Sequence, residues 1–198
     1  MAVETEIKLH IHPDQLQRLK RHPLLRAHSI GRARTLKLYS IYYDTADLAL
    51  QRHAMALRLR RVGNRWLQTL KDGGQSSAGL HLRNEWEMPV PAEQLDLEAL
   101  KAGGGKLPHG VRKHLQPVFV TDFMRNVRLL EFEGAQIELC MDSGEIRAGQ
   151  AMCPISELEL ELISGAPQQL FGLALKLLEI VPLEVEHTSK AEYGYRLF

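Results

Sequence analysis

Acidic and basic residues recur at every second position in several short segments of the sequence. Glu157, Glu159 and Glu161 form a run of carboxylates, and Arg58 and Arg60 form a pair of guanidinium groups. Because the side chains of a β-strand alternate between its two faces, residues two apart share a face. Like charges that lie side by side on a sheet repel each other unless an opposite charge lies between them. The spacing therefore indicates a metal cation beside the carboxylates and a polyanion beside the arginines.

A phosphate chain that carries Mg²⁺ or Mn²⁺ would satisfy both groups at once. Hard divalent cations prefer oxygen ligands, and Mg²⁺ commonly binds through carboxylates together with the phosphates of a substrate. Arginine forks match phosphate oxygens in a bidentate manner, and lysine adds a point charge. The sequence contains no GxxxxGK[ST] loop, which excludes a P-loop. We therefore expect a phosphate site built from strand faces.

The same alternation recurs in other segments, with charged residues on one face and apolar residues on the other. The charged faces comprise Glu4, Glu6, Lys8 and His10; His81, Arg83, Glu85 and Glu87; and Glu138, Cys140 and Asp142. For a single strand, a solvated face is the ordinary explanation, because antiparallel sheets often expose one side to water. The repeated Glu-x-Glu and Arg-x-Arg patterns instead favour a closed barrel with a charged interior, whose apolar outer face is covered by helices.

The elements that must position these residues are mostly strands. Strands are predicted over residues 5–11, 36–44, 55–62, 65–71, 80–90, 117–122, 126–133, 135–142, 145–148 and 156–163. Helices are predicted from residue 13 to about residue 21, over 92–102 and over 167–179. A flexible loop is predicted over 72–79, a turn at 143–144, and a short strand followed by a loop over 184–198. Many short strands separated by turns favour an antiparallel barrel or sandwich.

The composition restricts the class of protein. The 198 residues favour one domain, and 25 Lys and Arg against 24 Asp and Glu argue against a broadly basic nucleic-acid binder. Two cysteines do not make a disulfide framework. The N-terminal residues lack the apolar run of a signal peptide, and no window approaches the ~18 apolar residues of a membrane span. These features predict a soluble cytoplasmic protein without nucleic-acid or membrane partners.

A set of motifs occurs along the chain in a characteristic order. It comprises Glu4-Thr5-Glu6-Ile7-Lys8, Tyr42-Tyr43-Asp44-Thr45, Leu57-Arg58-Leu59-Arg60, Thr69-Leu70-Lys71, Arg83-Asn84-Glu85-Trp86-Glu87, Arg125, Asp142 and Glu157-Leu158-Glu159-Leu160-Glu161. The set resembles the CYTH superfamily, also called triphosphate tunnel metalloenzymes. Gly79-Leu80-His81, Thr121-Asp122-Phe123 and Ser189-Lys190-Ala191 further resemble its bacterial inorganic triphosphatase branch. The resemblance extends over nearly the whole sequence.

The resemblance implies an α+β fold: one CYTH domain over residues 1–198, with a closed eight-stranded antiparallel barrel as a tunnel and helices outside. It implies metal-dependent hydrolysis of inorganic triphosphate (tripolyphosphate) to diphosphate and phosphate, and a helical CHAD domain in longer relatives. A homodimer is the default expectation for a soluble enzyme. Two alternatives stay open. One is adenylate cyclase, thiamine triphosphatase or nucleoside triphosphatase chemistry in the same tunnel, and the other is a non-catalytic module that binds polyphosphate or nucleotide.

The resemblance also assigns roles to individual residues. The metal ligands would be Glu4, Glu6, Asp142, Glu159 and Glu161, and the substrate-binding cations would be Lys8, Arg58, Arg60, Lys71, Arg83, Arg125 and Lys190. Glu85, Glu87 and Glu157 would support them, although Glu157 is equally well explained as a structural carboxylate. Catalysis would consist of positioning and charge neutralisation, with water as the nucleophile. The metal, a carboxylate such as Glu4, or a Lys71–Tyr42 dyad would activate that water.

Overall fold

The computed structural model describes the backbone of residues 2–77 and 80–198 and the side chains of residues 5–72 and 84–198. This part of the chain contains nine strands: β1 (Ala2–His10), β2 (Ser29–Asp44), β3 (Ala56–Val62), β4 (Arg65–Ser77), β5 (Leu80–Val90), β6 (Gln116–Phe132), β7 (Ala135–Ala148), β8 (Ala151–Ser164) and β9 (Glu184–Val185). Its helices are α1 (Pro13–Lys20), α2 (Pro23–His28), α3 (Ala49–Arg52), α4 (Leu97–Ala102), α5 (Pro167–Leu178) and α6 (Lys190–Leu197), with a 3₁₀ turn at Val111–His114. None of these helices has the length and apolar character needed to cross a bilayer.

All nine strands belong to one antiparallel sheet with the order β5-β4-β3-β2-β6-β7-β8-β1-β9, and β1 pairs additionally with β5. One edge of β1 pairs with β8 along Glu6–His10, and the other pairs with β5 along Ala2–Ile7. Since β5 begins at Leu80, Leu9 and His10 extend beyond it and pair with β9. The expected count of eight strands is therefore wrong. The sheet is also not the closed eight-stranded barrel that was expected, because β9 takes a ninth position beside the end of β1.

Two glycine-containing segments continue strands where the sequence predicted turns or loops. A turn was predicted at residues 143–144, but β7 runs straight through Gly144. A Cβ atom at this position would lie 2.3 Å from the carbonyl oxygen of Asp122 and 2.5 Å from the Cα of Phe123. Gly144 is therefore required for the close approach of β6 and not for a turn.

The segment predicted as a loop over residues 72–79 is also different in the structure. Residues 72–77 continue β4 and pair with β5, with a register shift between Asp72 and Gln75. Such a shift is a local irregularity that a strand tolerates without ending. Residues 78 and 79 lie outside the described residues. Likewise β6 is one continuous strand of 17 residues, where two shorter strands were predicted.

Helices cover the apolar side of several strands, as the alternating pattern predicted. Leu9 of β1, Leu139 of β7 and Leu158 of β8 are completely or almost completely buried in one cluster. Each lies on the strand face opposite to the charged residues. The helices contribute Leu19 of α1, Leu25 of α2, and Leu170, Leu173 and Leu177 of α5. This outer core fixes β1, β7 and β8, which carry most of the acidic residues of interest.

The segment 184–198, predicted as a short strand and loop, contains β9 and the helix α6. Ser189 caps α6: its hydroxyl accepts a hydrogen bond from the Glu192 N–H at 3.2 Å, and the Glu192 carboxylate accepts one from the Ser189 N–H at 2.7 Å. This Ser-x-x-Glu capping box is a recognised helix signal. The sequence prediction did not use it, and so missed the helix.

α6 packs on the same strand faces that carry the charged residues. Tyr195 of α6 lies in a cluster with Phe119 of β6 and Ile146 of β7. By alternation, Phe119 shares its face with Arg125, and Ile146 shares its face with Asp142. The inner strand faces therefore have two parts, one charged and one apolar, and α6 fills the apolar part.

Candidate functional site

A cavity of about 100 Å³ lies on the charged strand faces next to the start of α6. Its charged and polar lining consists of Glu6, Lys8, Tyr42, Arg58, Arg60, Thr69, Lys71, Glu85, Arg125, Glu159, Ser189 and Lys190. The structure thus brings together six of the seven cations that the sequence predicted for substrate binding. The seventh, Arg83, lies outside the described side chains, as does the expected metal ligand and catalytic residue Glu4.

Two arginines of β3 lie in the cavity wall without a full set of partners. Arg60 is 9% exposed, and its Nε donates to the Ser40 hydroxyl at 2.9 Å. Among the described residues, no carboxylate forms an ion pair with Arg60. Burial and the neighbouring Arg58 guanidinium lower the pKa of Arg60 to about 10. The Nε of Arg58 is buried and has no hydrogen-bond acceptor among the described residues. Both guanidinium groups can therefore bind an anion.

Three carboxylates converge beside these arginines. Asp142 of β7 lies opposite Glu157 of β8 in the strand register, and Glu159 follows on the same face of β8. One oxygen from each of the three lies within 4.8 Å of the others. A set of donors made only of oxygen atoms suits Mg²⁺ or Mn²⁺. The cluster contains two of the predicted metal ligands, Asp142 and Glu159, together with Glu157, which was predicted to support them.

Arg125 holds two of these carboxylates. Its Nε and Nη2 donate to the two Asp142 oxygens at 2.8 and 2.6 Å, and its Nη2 also bonds Glu159. Asp142 is fully buried. Bidentate bonds of this kind fix the orientation of a guanidinium group. Asp142 therefore positions Arg125 at the cavity wall, in addition to its place in the carboxylate cluster.

Two lysines complete the charge balance of the cluster. Lys190 Nζ lies 2.7 Å from Asp142 Oδ2 and 2.8 Å from Glu159 Oε1, and it bonds Glu157 as well. Lys8 Nζ lies 3.8 Å from Glu157 and 3.5 Å from Glu159. All of these side chains are mostly buried. The ion pairs are therefore shielded from water, which strengthens their electrostatic interactions.

The ion pairs shift the protonation equilibria of the cluster. Burial alone would raise the pKa of Glu159, but Arg125 and Lys190 outweigh it and hold that pKa well below its usual range. For Glu157, burial outweighs the lysines and raises the pKa. Burial alone would lower the pKa of Lys190, but Asp142 and the two glutamates raise it above its usual value. Glu159 and Lys190 therefore form a stable ion pair at neutral pH.

Tyr42, a member of the expected dyad, lies at the border between the charged and apolar parts. Its ring stacks on Phe119 with centroids 4.4 Å apart, and its hydroxyl lies close to the Arg58 guanidinium. Burial alone would raise the pKa of Tyr42, but Arg58 and Arg60 outweigh it and lower that pKa. Lys71, the other member of the dyad, lines the same cavity and lies 3.1 Å from Glu85.

The remaining expected carboxylates lie on the same strand faces. Glu6 of β1 lines the cavity and lies opposite Glu161 of β8 in the register. Glu85 lies near both Lys71 and Arg58, and Glu87 accepts a hydrogen bond from Thr69 at 3.1 Å. Glu85 and Glu87 therefore contact basic or hydroxyl groups of the wall.

The sequence did not predict the role of an aromatic ring in the site. Phe123 lies below three cations: its ring centroid is 5.8 Å from Arg60, 5.6 Å from Arg125 and 5.0 Å from Lys190. A ring face attracts cations at these distances. Phe123 shares the β6 face of Arg125 by alternation, and this parity is the sequence signal that could have identified it.

The motif that ends with Asp44 and Thr45 has a structural part as well. The Asp44 carboxylate is fully buried and accepts hydrogen bonds from the backbone N–H groups of Thr45, Leu50 and Gln51 at 2.7, 2.8 and 3.0 Å. These bonds tie the end of β2 to the start of α3. Asp44 therefore stabilises the turn that follows Tyr42.

A family model described as the CYTH domain matches residues 2–195 of the chain. The chain is also 36% identical over 201 residues to the inorganic triphosphatase of Haemophilus influenzae. That alignment covers all of this chain and 55% of the relative, so the chain spans about half the length of the curated relative it matches.

Solved structures share the fold. A Hippeastrum protein, described with a dominant triphosphatase activity, superposes with a TM-score of 0.69 and 19% identity, over 98% of this chain and 95% of that chain. The RNA triphosphatase domain of a mimivirus mRNA capping enzyme superposes with a TM-score of 0.54 and 12% identity, over 90% and 86% of the two chains. At these identities the similarity supports the fold alone.

Proposed function

Because the chain belongs to the CYTH domain family, we propose that it hydrolyses inorganic triphosphate to diphosphate and phosphate with Mg²⁺ or Mn²⁺. Its similarity to an inorganic triphosphatase supports this proposal. The observation that carries it is the pair of incompletely partnered arginines in the cavity wall, Arg58 and Arg60. Arg60 is a buried cation with no carboxylate ion pair among the described residues, which costs free energy that a bound anion would recover.

The six cations of the cavity wall would bind the phosphate groups of the substrate, with Arg83 as the expected seventh. Lys8, Lys71 and Lys190 come from β1, β4 and α6, so the cations surround the cavity. The sequence contains no dedicated motif for a nucleobase or a thiamine ring, which favours inorganic triphosphate over its organic derivatives.

The metal would be held by the carboxylate cluster that reaches the cavity wall at Glu159. Asp142, Glu157 and Glu159 offer oxygen atoms close enough together for one hard cation. Glu4, Glu6 and Glu161 are the further ligands that the family resemblance implies. A divalent cation held there supplies positive charge to the phosphate oxygens, on which negative charge develops during transfer.

We propose that the charged strand faces around this cavity form a tunnel within a single domain. The pairing of β1 with β8 on one edge and with β5 on the other supports the enclosure. The packing of α6 on the inner faces supports a tunnel that is filled over part of its length. The phosphate chain would then lie along the charged part.

The attacking water needs a group that accepts its proton. Tyr42 is one candidate, because Arg58 and Arg60 lower the pKa of its hydroxyl. Lys71 would assist it as the second member of the dyad, and Glu4 is the carboxylate alternative. A Tyr42→Phe variant distinguishes the Tyr42–Lys71 dyad from Glu4 as the proton acceptor, since it removes the hydroxyl and leaves the ring stacked on Phe119.

Phosphate release from tripolyphosphate, ATP, thiamine triphosphate and long polyphosphate tests the proposal. We expect turnover of tripolyphosphate to be fastest, and to stop when a chelator removes the metal. Arg60→Met should raise the KM for tripolyphosphate at least about tenfold, because a charge-assisted bond contributes more than 1.4 kcal/mol. Arg61→Met is the matched control, since Arg61 is the exposed neighbour and bonds the Gly63 carbonyl. Preference for ATP with cyclic AMP as the product, or full activity in excess chelator, would refute the proposal.

A further inference from the structure

The cluster proposed for the metal already contains a cation of the chain itself. The Lys190 ammonium bonds Asp142, Glu157 and Glu159, the same three carboxylates that lie close enough together to hold an ion. Two of the ammonium donors bond Glu157 and Glu159, and Asp142 Oδ2 forms an ion pair with Nζ at 2.7 Å. The Lys190 residue is 6% exposed. Lys190 therefore occupies the place that a divalent cation would take.

The charges of the described cluster balance without a metal. Three carboxylates face three cations, Lys8, Arg125 and Lys190. A divalent ion bound to the same oxygens would lie within a few ångströms of the Lys190 ammonium. Repulsion between cations at such a distance is strong in a site shielded from water. The metal and the ammonium therefore cannot share these oxygens.

The Lys190 ammonium can reach a second position without any movement of α6. It is the first residue of α6, whose start is fixed by the Ser189 capping box. Ser189, Lys190 and Ala191 all line the cavity proposed for phosphate. A lysine side chain is long and has several rotatable bonds, so its ammonium can turn from a carboxylate to a phosphate without movement of the backbone.

We propose that Lys190 is a tethered cation that neutralises the carboxylates when the cavity holds no substrate. A divalent metal would bind to Asp142, Glu157 and Glu159 only after the ammonium has moved to a phosphate group. This inference rests on the proposed metal-dependent function, and it adds that metal and triphosphate bind in a coupled manner. Metal alone should bind the wild-type protein weakly.

The test is a calorimetric titration with Mn²⁺ alone, near neutral pH and without any phosphate. Lys190→Met should bind Mn²⁺ roughly tenfold more tightly than the wild type or better, because it removes the competing charge. Lys190→Arg keeps a cation and should stay close to the wild type. Lys176→Met is the matched surface control, since Lys176 pairs only with the exposed Glu179 among the described residues. Mn²⁺ binding to Lys190→Met that is no tighter than to the wild type would overturn the proposal.

Circular dichroism with and without Mn²⁺ shows whether Lys190→Met is folded. If that variant is unfolded without metal, the proposal requires Mn²⁺ to restore the folded spectrum, and failure to restore it also overturns the proposal. Neither measurement involves substrate turnover. A wild-type protein that fails to cleave tripolyphosphate would refute the proposed function, whereas the Mn²⁺ titrations decide the role of Lys190.

Discussion

Replacing Gly194 with alanine tests whether α6 must lie against the inner strand faces. A Cβ atom on Gly194 would lie 2.2 Å from two ring carbons of Phe119 and 2.6 Å from a third. Carbon atoms in contact normally lie about 3.5–4.0 Å apart. Phe119 is itself held between Tyr42, stacked at 4.4 Å, and Tyr195, packed edge-on at 5.0 Å. The helix must therefore shift, or the three rings must rearrange.

Two opposing effects determine the size of the change. Alanine in place of glycine favours a helix by about 1 kcal/mol. Overpacking a well-filled core costs about 1–3 kcal/mol, and occasionally more. Because the overlap is larger than one added methylene usually causes, we expect the upper end of that range. The free energy of unfolding should fall by about 2 kcal/mol. A shifted α6 would also withdraw Lys190 from the cavity and raise the KM for tripolyphosphate.

Urea unfolding and tripolyphosphate kinetics measure both effects. Gly172→Ala is the matched control, because Gly172 lies in α5 and a Cβ there would lie 3.2 Å from the nearest ring carbon, of Phe132. A small adjustment relieves that contact, so the stability of this control should stay within about 0.5 kcal/mol of the wild type or rise. If Gly194→Ala is as stable as Gly172→Ala and has an unchanged KM, the packing argument for α6 is refuted.

Two further predictions concern buried carboxylates. Asp44→Ala should lower the free energy of unfolding by about 3 kcal/mol, because three N–H groups, two of them buried, lose their acceptor. Asp47→Ala, at the exposed side of the same turn, should cost much less, and equal losses in urea melts would contradict this role. Arg125 and Lys190 hold the pKa of Glu159 well below 4.5 against the effect of burial, so the carboxylate stabilises the fold above that pH and loses its contribution as the pH falls further. The difference in unfolding free energy between the wild type and Glu159→Gln should therefore shrink below pH 4.5, and a difference that is the same at about pH 3.5 and pH 7 would be inconsistent with the ion pairs.

Alternation along a strand is the part of this fold that the sequence predicts best. It places Arg58 and Arg60 on one face, and Glu157 and Glu159 on another, without knowledge of the neighbouring strands. The register between strands is a different matter, because it depends on packing across the whole sheet. That Glu157 lies opposite Asp142 was therefore not predictable, although both residues were expected near the site.

The place of an element in the fold depends on contacts that local sequence does not contain. Gly144 fits a turn by composition, but it is needed because β6 passes too close for a side chain. The Ser-x-x-Glu signal marks the start of α6, but the packing of Tyr195 against Phe119 and Ile146 is what places that helix on the inner strand faces. In both cases the determining contact comes from a part of the chain far away in sequence.

The pairing of β1 has a consequence for the order of events during synthesis. β1 ends at His10, and β8, its neighbour in the sheet, begins only at Ala151. At typical rates of translation, the edge of β1 that pairs with β8 waits on the order of 10 s for that strand. Leu9, which lies beyond the pairing with β5, lacks its β8 neighbour over this time, and exposed apolar strand residues of this kind are ones that chaperones would bind. Lys8 and Lys190 meet later still, so a nascent chain cannot assemble the charged cluster until residue 190 has left the ribosome.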